Sequence, residues 1–130
     1  MRNVIVSLLA LVPLAAAQEV VRVYVSHDEE HSKPILDLFE KETGVKVEAQ
    51  YDTEQTKTVG LVTRLITEKG DPQADVFWNN ELATTVKLKA NGVLDAYDVP
   101  NAASIPAAFK DPEGYWVGFA ARARILIVNT

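Results

Sequence analysis

The chain has 130 residues, enough for one domain with its own core and too few for two. With 48% hydrophobic and 24% charged residues it has the composition of a folded globular protein, which excludes wholesale disorder. A formal charge of −5 without any Lys/Arg-rich run argues against nucleic-acid binding, and the absence of cysteine excludes disulfides, thiolate metal sites, thiol nucleophiles and a lipid-modified N-terminal Cys.

The N-terminus has the layout of a secretory signal peptide. Met1-Arg2-Asn3 supplies a positive start, Val4 to Leu14 is apolar, and Ala15-Ala16-Ala17 has the small-x-small form. Residues 1–17 are therefore expected to be cleaved before Gln18, which predicts a periplasmic protein. The apolar run, at about 11 residues, is short of the roughly 20 that span a bilayer.

Beyond it, β-like and α-like patterns alternate. Val20 to Val25 is rich in β-branched residues and predicts a buried strand. Ser32 to Glu42 predicts a helix with Pro34 in its first turn, Ile35, Leu36, Leu38 and Phe39 on one face, and Gly44 as its stop. Val45 to Tyr51 alternates apolar and polar residues, the period of a strand with one wetter face. A second helix is expected from about Gln55 to Lys69, ended by Gly70-Asp71-Pro72, and a short strand over Ala74–Trp78. Asn80 predicts the N-cap of a third helix that runs to Ala90 and leaves through Asn91-Gly92. Tyr97 to Pro112 reads as loop with a short helix, and Trp116–Ala120 and Arg124–Val128 as further strands. The alternation gives an α/β fold, a mainly parallel sheet flanked by helices, with no internal repeat. Ligands bind such sheets at the carboxyl ends of the strands, which nominates the loops Ser26–His31, Asp52–Thr56 and Asn79–Glu81.

Several local patterns invite a chemical reading. His27-Asp28-Glu29-Glu30-His31 fits H-x-x-E-H, in which two His one helical turn apart hold zinc and a carboxylate activates water. That chemistry needs one continuous helix through both His, whereas this motif directly follows a strand; a ligand-contacting loop and a solvated turn are the competing readings. Glu81, at a predicted helix start, is an oxygen ligand for a hard metal ion, a polar anchor, or a charge favoured by the helix dipole. Asn79 and Asn80 are ligand contacts or turn and cap residues. Trp78 stacks on a ligand or fills an interface. Arg122 and Arg124 share a strand face and suit a carboxylate or phosphate, or pair with acids of the domain. No G-x-G-x-x-G, P-loop or G-x-S-x-G occurs, and nothing supports catalysis.

Together, Val23-Tyr24-Val25-Ser26, Pro34 to Glu40, Thr43 to Val47, Tyr51 to Glu54, Lys57 to Leu61, Asp75 to Glu81 and Gly114 to Arg124, closing on Val128-Asn129-Thr130, resemble extracellular solute-binding proteins of ABC transporters. The likeness is greatest to the periplasmic type II, ferric-iron-binding members. That resemblance implies two α/β lobes closing over a solute like a hinged clamp. Residues 18–130 would form the N-terminal lobe, with the chain reaching the inter-lobe crossover near Arg124–Thr130. It further implies a His near the end of the first strand, a Glu after the third, and a pair of Tyr from the second lobe. Glu81 matches the Glu; the His position falls on Asp28, with His27 beside it. Ser26, His27, Asp28, Asn79, Asn80, Glu81, Arg122 and Arg124 are thus the expected ligand-binding residues, with His27, Asp28 and Glu81 for metal.

The expected function is capture of a small solute, Fe(III) first, by a non-enzymatic monomer that delivers it to an ABC permease of the inner membrane. One alternative is a small anion, such as a phosphonate, a sulfate-like ion or an organic acid, held by helix N-termini and Arg122 or Arg124. Others are a zinc hydrolase using His27, Glu30 and His31, and an exported interaction domain without a small ligand.

Overall fold

A computed structural model of the protein describes residues 19–52 and 59–121. The expected signal peptide, part of the Asp52–Thr56 loop, the start of the second helix, and Arg122, Arg124 and the strand expected over Arg124–Val128 lie outside the described residues.

Three strands, β1 (Val20–Val25), β2 (Lys46–Tyr51) and β3 (Val76–Trp78), form a parallel sheet in the order β2-β1-β3. Helices α1 (Glu29–Thr43), α2 (Val59–Thr67) and α3 (Leu82–Ala90) follow the three strands in turn. The β-branched run builds the central strand, and the core gathers on its second half: Val23, Tyr24 and Val25 are buried, with Leu61 and Val62 of α2, Leu88 of α3 and Ala102. Val25 pairs with Tyr51, so these two side chains share a sheet face, and Tyr51 lies within electrostatic reach of Glu29 and Lys33 of α1. Tyr24 points to the other face, where its hydroxyl donates to Glu68 at 2.9 Å and the Arg64 guanidinium of α2 sits 4.8 Å from its ring centre. The first two helices therefore cover opposite faces, as a parallel sheet requires.

Helix α1 begins three residues before the expected Ser32, because the Asp28 carbonyl accepts the N–H groups of both His31 and Ser32 and so starts the winding early. Pro34 consequently falls in the second turn rather than the first, where it removes the N–H that would bond the Glu30 carbonyl. The apolar face is also turned from its expected direction. Ser32 is fully buried, whereas Ile35, Leu38 and Phe39 are 53%, 51% and 44% exposed. Burial of this serine is inexpensive because its hydroxyl donates to the Asp28 carbonyl at 2.9 Å. Gly44 closes the helix as expected, in the left-handed conformation at φ 75°, with its N–H on the Glu40 carbonyl.

Helix α2 continues into a 3-10 turn over Glu68–Gly70, and further 3-10 turns occupy Pro100–Ser104 and Ala107–Phe109 in the Pro- and Ala-containing stretch. The strand expected over Trp116–Ala120 is instead a single antiparallel bridge, Lys110 to Val117, flanked by bonds from Asp111 N–H to the Trp116 carbonyl and from Gly118 N–H to the Phe109 carbonyl. The ladder stops because its partner winds into the Ala107–Phe109 turn and offers no further extended backbone. Lys89 of α3 ties this region down: its ammonium donates to both carboxylate oxygens of Asp111, at 2.8 and 2.9 Å, and to Glu113 at 2.9 Å, over the Tyr115 ring.

Candidate functional site

The three strands end side by side. Ser26 N–H donates to the Trp78 carbonyl at 2.9 Å, and Asp52 N–H to the Val25 carbonyl at 3.1 Å. The entries to α1 and α3 therefore emerge next to each other at the carboxyl edge of the sheet, the edge at which α/β sheets bind ligands. Of the sequence-nominated residues, Ser26, His27 and Asp28 lie on the first of these entries and Asn79, Asn80 and Glu81 on the second.

Ser26 Oγ is buried without a hydrogen-bond partner among the described residues, at the point where β1 turns toward α1. Such a hydroxyl keeps its full desolvation cost unless a ligand or water meets it. His27 follows outside the helix. Its ring meets Trp78 edge to face at a centroid distance of 5.8 Å and lies 5.9 Å from the His31 ring; Trp78 in turn meets Phe119 at 5.5 Å. The Nδ1 atom of His27 accepts the Asp28 N–H at 2.9 Å, so the neutral ring carries its proton on Nε2. His31 is in the first turn of α1, its Nε2 3.3 Å from a Glu30 carboxylate oxygen. Because α1 starts at Glu29, the two His do not share a helix as the zinc motif requires, and among the described residues no group of three or more His, Asp or Glu could hold a metal.

Asp28 and Glu81 occupy equivalent places, as the N-cap residues of α1 and α3. Ordinarily an N-cap Asp turns its side chain inward onto the helix N–H groups. Neither carboxylate does so: both lack a side-chain capping bond, and both residues are exposed. At the α3 entry the side chain of Asn79 organises the turn instead. Its Nδ2 donates to the Glu81 carbonyl and to the Thr84 and Thr85 hydroxyls, while its Oδ1 accepts the Glu81 N–H. Asn80, the expected N-cap, is an exposed residue between them. Thr84, Thr85 and Phe119 were not among the nominated residues. An Asn followed at five and six residues by Thr-Thr is a legible clue to the first two, whereas the Phe119 contact depends on the fold.

A parallel α/β sheet with acidic and polar helix entries gathered at its carboxyl edge is the architecture of a solute-binding protein, and it matches solved periplasmic-binding-protein type II folds. The chain belongs to the family of bacterial extracellular solute-binding proteins, whose family model matches residues 25–130. Over 113 residues it is 26% identical to iron uptake protein A1 of Synechocystis sp. (strain ATCC 27184 / PCC 6803 / Kazusa), covering 86% of this chain and 30% of that protein. Over 115 residues it is 25% identical to the Fe(3+)-binding periplasmic protein of Serratia marcescens, covering 88% of this chain and 33% of that one. Among solved structures, apo ferric ion-binding protein A of Pasteurella haemolytica superimposes with a TM-score of 0.67 at 28% identity, over 77% of this chain and 30% of that one. The chain thus spans about a third of the length of these relatives. Among the described residues no helix is long and apolar enough to cross a membrane.

Proposed function

We propose that this chain is the N-terminal lobe of a periplasmic ferric-iron-binding protein, which captures Fe(III) between two lobes and hands it to an ABC permease. The observation that carries the reading is the pair of N-cap carboxylates, Asp28 and Glu81, neither of which caps its own helix. Fe(III) is a hard cation and takes oxygen ligands, which two unengaged carboxylates supply. The names of the relatives, an iron uptake protein and an Fe(3+)-binding periplasmic protein, support the same cargo. In this reading Asp28 and Glu81 present the charged half of the coordination shell. Ser26 and His27 add donors around it, and the remaining ligands come from the rest of the polypeptide as the lobes close.

Fe(III) favours the carboxylate oxygens of Asp28 over the imidazole of His27, whose Nδ1 already accepts the Asp28 N–H. The test is a titration of the full-length protein with Fe(III) supplied as its nitrilotriacetate complex, read by native mass spectrometry and by competition against citrate. One iron per protein is expected. Glu81→Gln should weaken binding by at least roughly tenfold, the scale seen when even outer-shell partners of a metal are removed. If Glu81→Gln instead leaves iron uptake unchanged and a small anion binds more tightly, the ferric reading fails and the anion reading replaces it.

A further inference from the structure

The Asn79 side chain makes four hydrogen bonds, and all of them serve the turn that carries Glu81. Its Nδ2 lies 2.7 Å from the Glu81 carbonyl oxygen, 2.6 Å from Thr84 Oγ1 and 2.9 Å from Thr85 Oγ1; its Oδ1 accepts the Glu81 N–H at 3.2 Å. The two threonine hydroxyls, which accept from Asn79, donate onward to the same Glu81 carbonyl at 2.9 and 3.3 Å. The two amide hydrogens of Asn79 are shared among three acceptors, and both main-chain polar groups of Glu81 bond this one side chain from the end of β3. An ordinary N-cap satisfies its helix with its own side chain. Here the residue two positions earlier bonds the N-cap residue itself and holds Glu81 in an extended conformation, φ −130° and ψ 112°, with its carboxylate making no capping bond. The rigid end is the sheet: β3 is paired to β1 through Val25 and Trp78, the residue immediately before Asn79.

We infer that Asn79 is a positioning residue. It does not touch the cargo but locks the Glu81 backbone, so that the carboxylate is presented at the carboxyl edge of the sheet before any cargo arrives. This rests on the proposed role of Glu81 as a cargo ligand. Such pre-organisation raises affinity because ordering the ligand is completed in the empty protein. The two residues then act as one unit, and their substitutions are not additive.

The experiment is a double-mutant cycle on the full-length protein, with Fe(III) nitrilotriacetate as the probe and citrate as competitor, together with amide hydrogen exchange on the iron-free protein. Asn79→Asp is the main variant, because it keeps the acceptor for the Glu81 N–H and places a charge that the α3 dipole favours, so the helix is retained. It replaces the N–H groups facing the Glu81 carbonyl with an oxygen. Expected results are roughly tenfold weaker iron binding in the parent, no further loss when Asn79→Asp is added to Glu81→Gln, and faster exchange at the Glu81 amide. Asn79→Ala should give the same pattern with a lower melting temperature. The inference is overturned if the Asn79 variants lose the same factor in both backgrounds, or bind iron as the parent does. If Glu81→Gln alone has no effect on iron binding, the role of Glu81 fails, and the exchange result still reports separately whether Asn79 holds the turn.

Discussion

Leu88 tests the packing that holds the candidate site in place. It is fully buried on α3, the helix that Glu81 opens, whereas Leu82 and Val86 of the same helix are 57% and 50% exposed. Removing a fully buried leucine to alanine sacrifices the transfer energy of its lost carbons and leaves a cavity; the expected cost of Leu88→Ala is about 3–5 kcal/mol. Leu82→Ala removes a side chain that keeps more than half of its area in water, leaves no cavity and gains slightly in helix propensity, so it should cost under about 1 kcal/mol. Urea unfolding of the purified full-length protein, followed by far-ultraviolet circular dichroism and compared at equal slope, measures both. A Leu88→Ala cost below about 1 kcal/mol would remove Leu88 from the core and undo the packing of α3 against α2. An equal, large cost for Leu82→Ala would show that another part of the protein covers the outer face of α3.

Two further predictions concern pH. Burial, and then the bond to Glu68, push the Tyr24 phenol above its usual 10.0. The folded state thus favours the neutral phenol. Its contribution is complete below about pH 10 and is lost as pH rises through the raised folded value. Tyr24→Phe should cost about 1 kcal/mol at pH 7 and flatten the alkaline limb of a melting-temperature profile; an unchanged limb would remove Tyr24 as its source. The Lys89 ammonium, followed by the Tyr115 backbone N–H, holds the Asp111 carboxyl below its usual 3.8. That stabilisation is complete above about pH 4 and is lost as pH falls through the lowered value. Lys89→Met should therefore lower the melting temperature by several degrees at pH 7 and by much less near pH 2; an equal loss at both would show that packing, not charge, is what Lys89 contributes.

Wherever local chemistry had a single solution, the sequence showed it. The β-branched run marked Val20–Val25 to the residue, and Gly44 marked the end of α1, because each pattern has one good conformational outcome. Boundaries that depended on which of two equivalent groups was chosen were not legible. Asn80 is a competent cap, yet the N-cap position falls on Glu81, because Asn79 organises the turn through the Glu81 main chain and the Thr84 and Thr85 hydroxyls. The orientation of α1 departs from its hydrophobic pattern for a related reason. Hydrophobicity favours burying Ile35 and Leu38, but Ser32 is satisfied by its own helix and so can lie against the sheet. Contacts between distant segments, such as Trp78 with Phe119, had no local signature at all.

On the proposed ferric reading, the two exposed N-cap carboxylates keep their charges unpaired without unfolding their helices. Each sits at a helix N-terminus, where the dipole favours an anion by about 0.3–1 kcal/mol, and each is exposed, so in the open protein it remains hydrated. In the proposed two-lobe reading, closure over a cargo removes that water, and an isolated carboxylate out of water is strongly unfavourable. The aromatic surface of Trp78 and Phe119 gives no compensating charge. Among the described residues, a neutral or anionic solute would therefore leave two desolvated carboxylates opposed only by the helix ends. A compact, highly charged cation reverses the balance, because the groups that make closure costly when empty become its ligands. On that reading selection at this edge rests on charge more than on shape, which is why substitution of Glu81 by its neutral isostere tests the cargo itself.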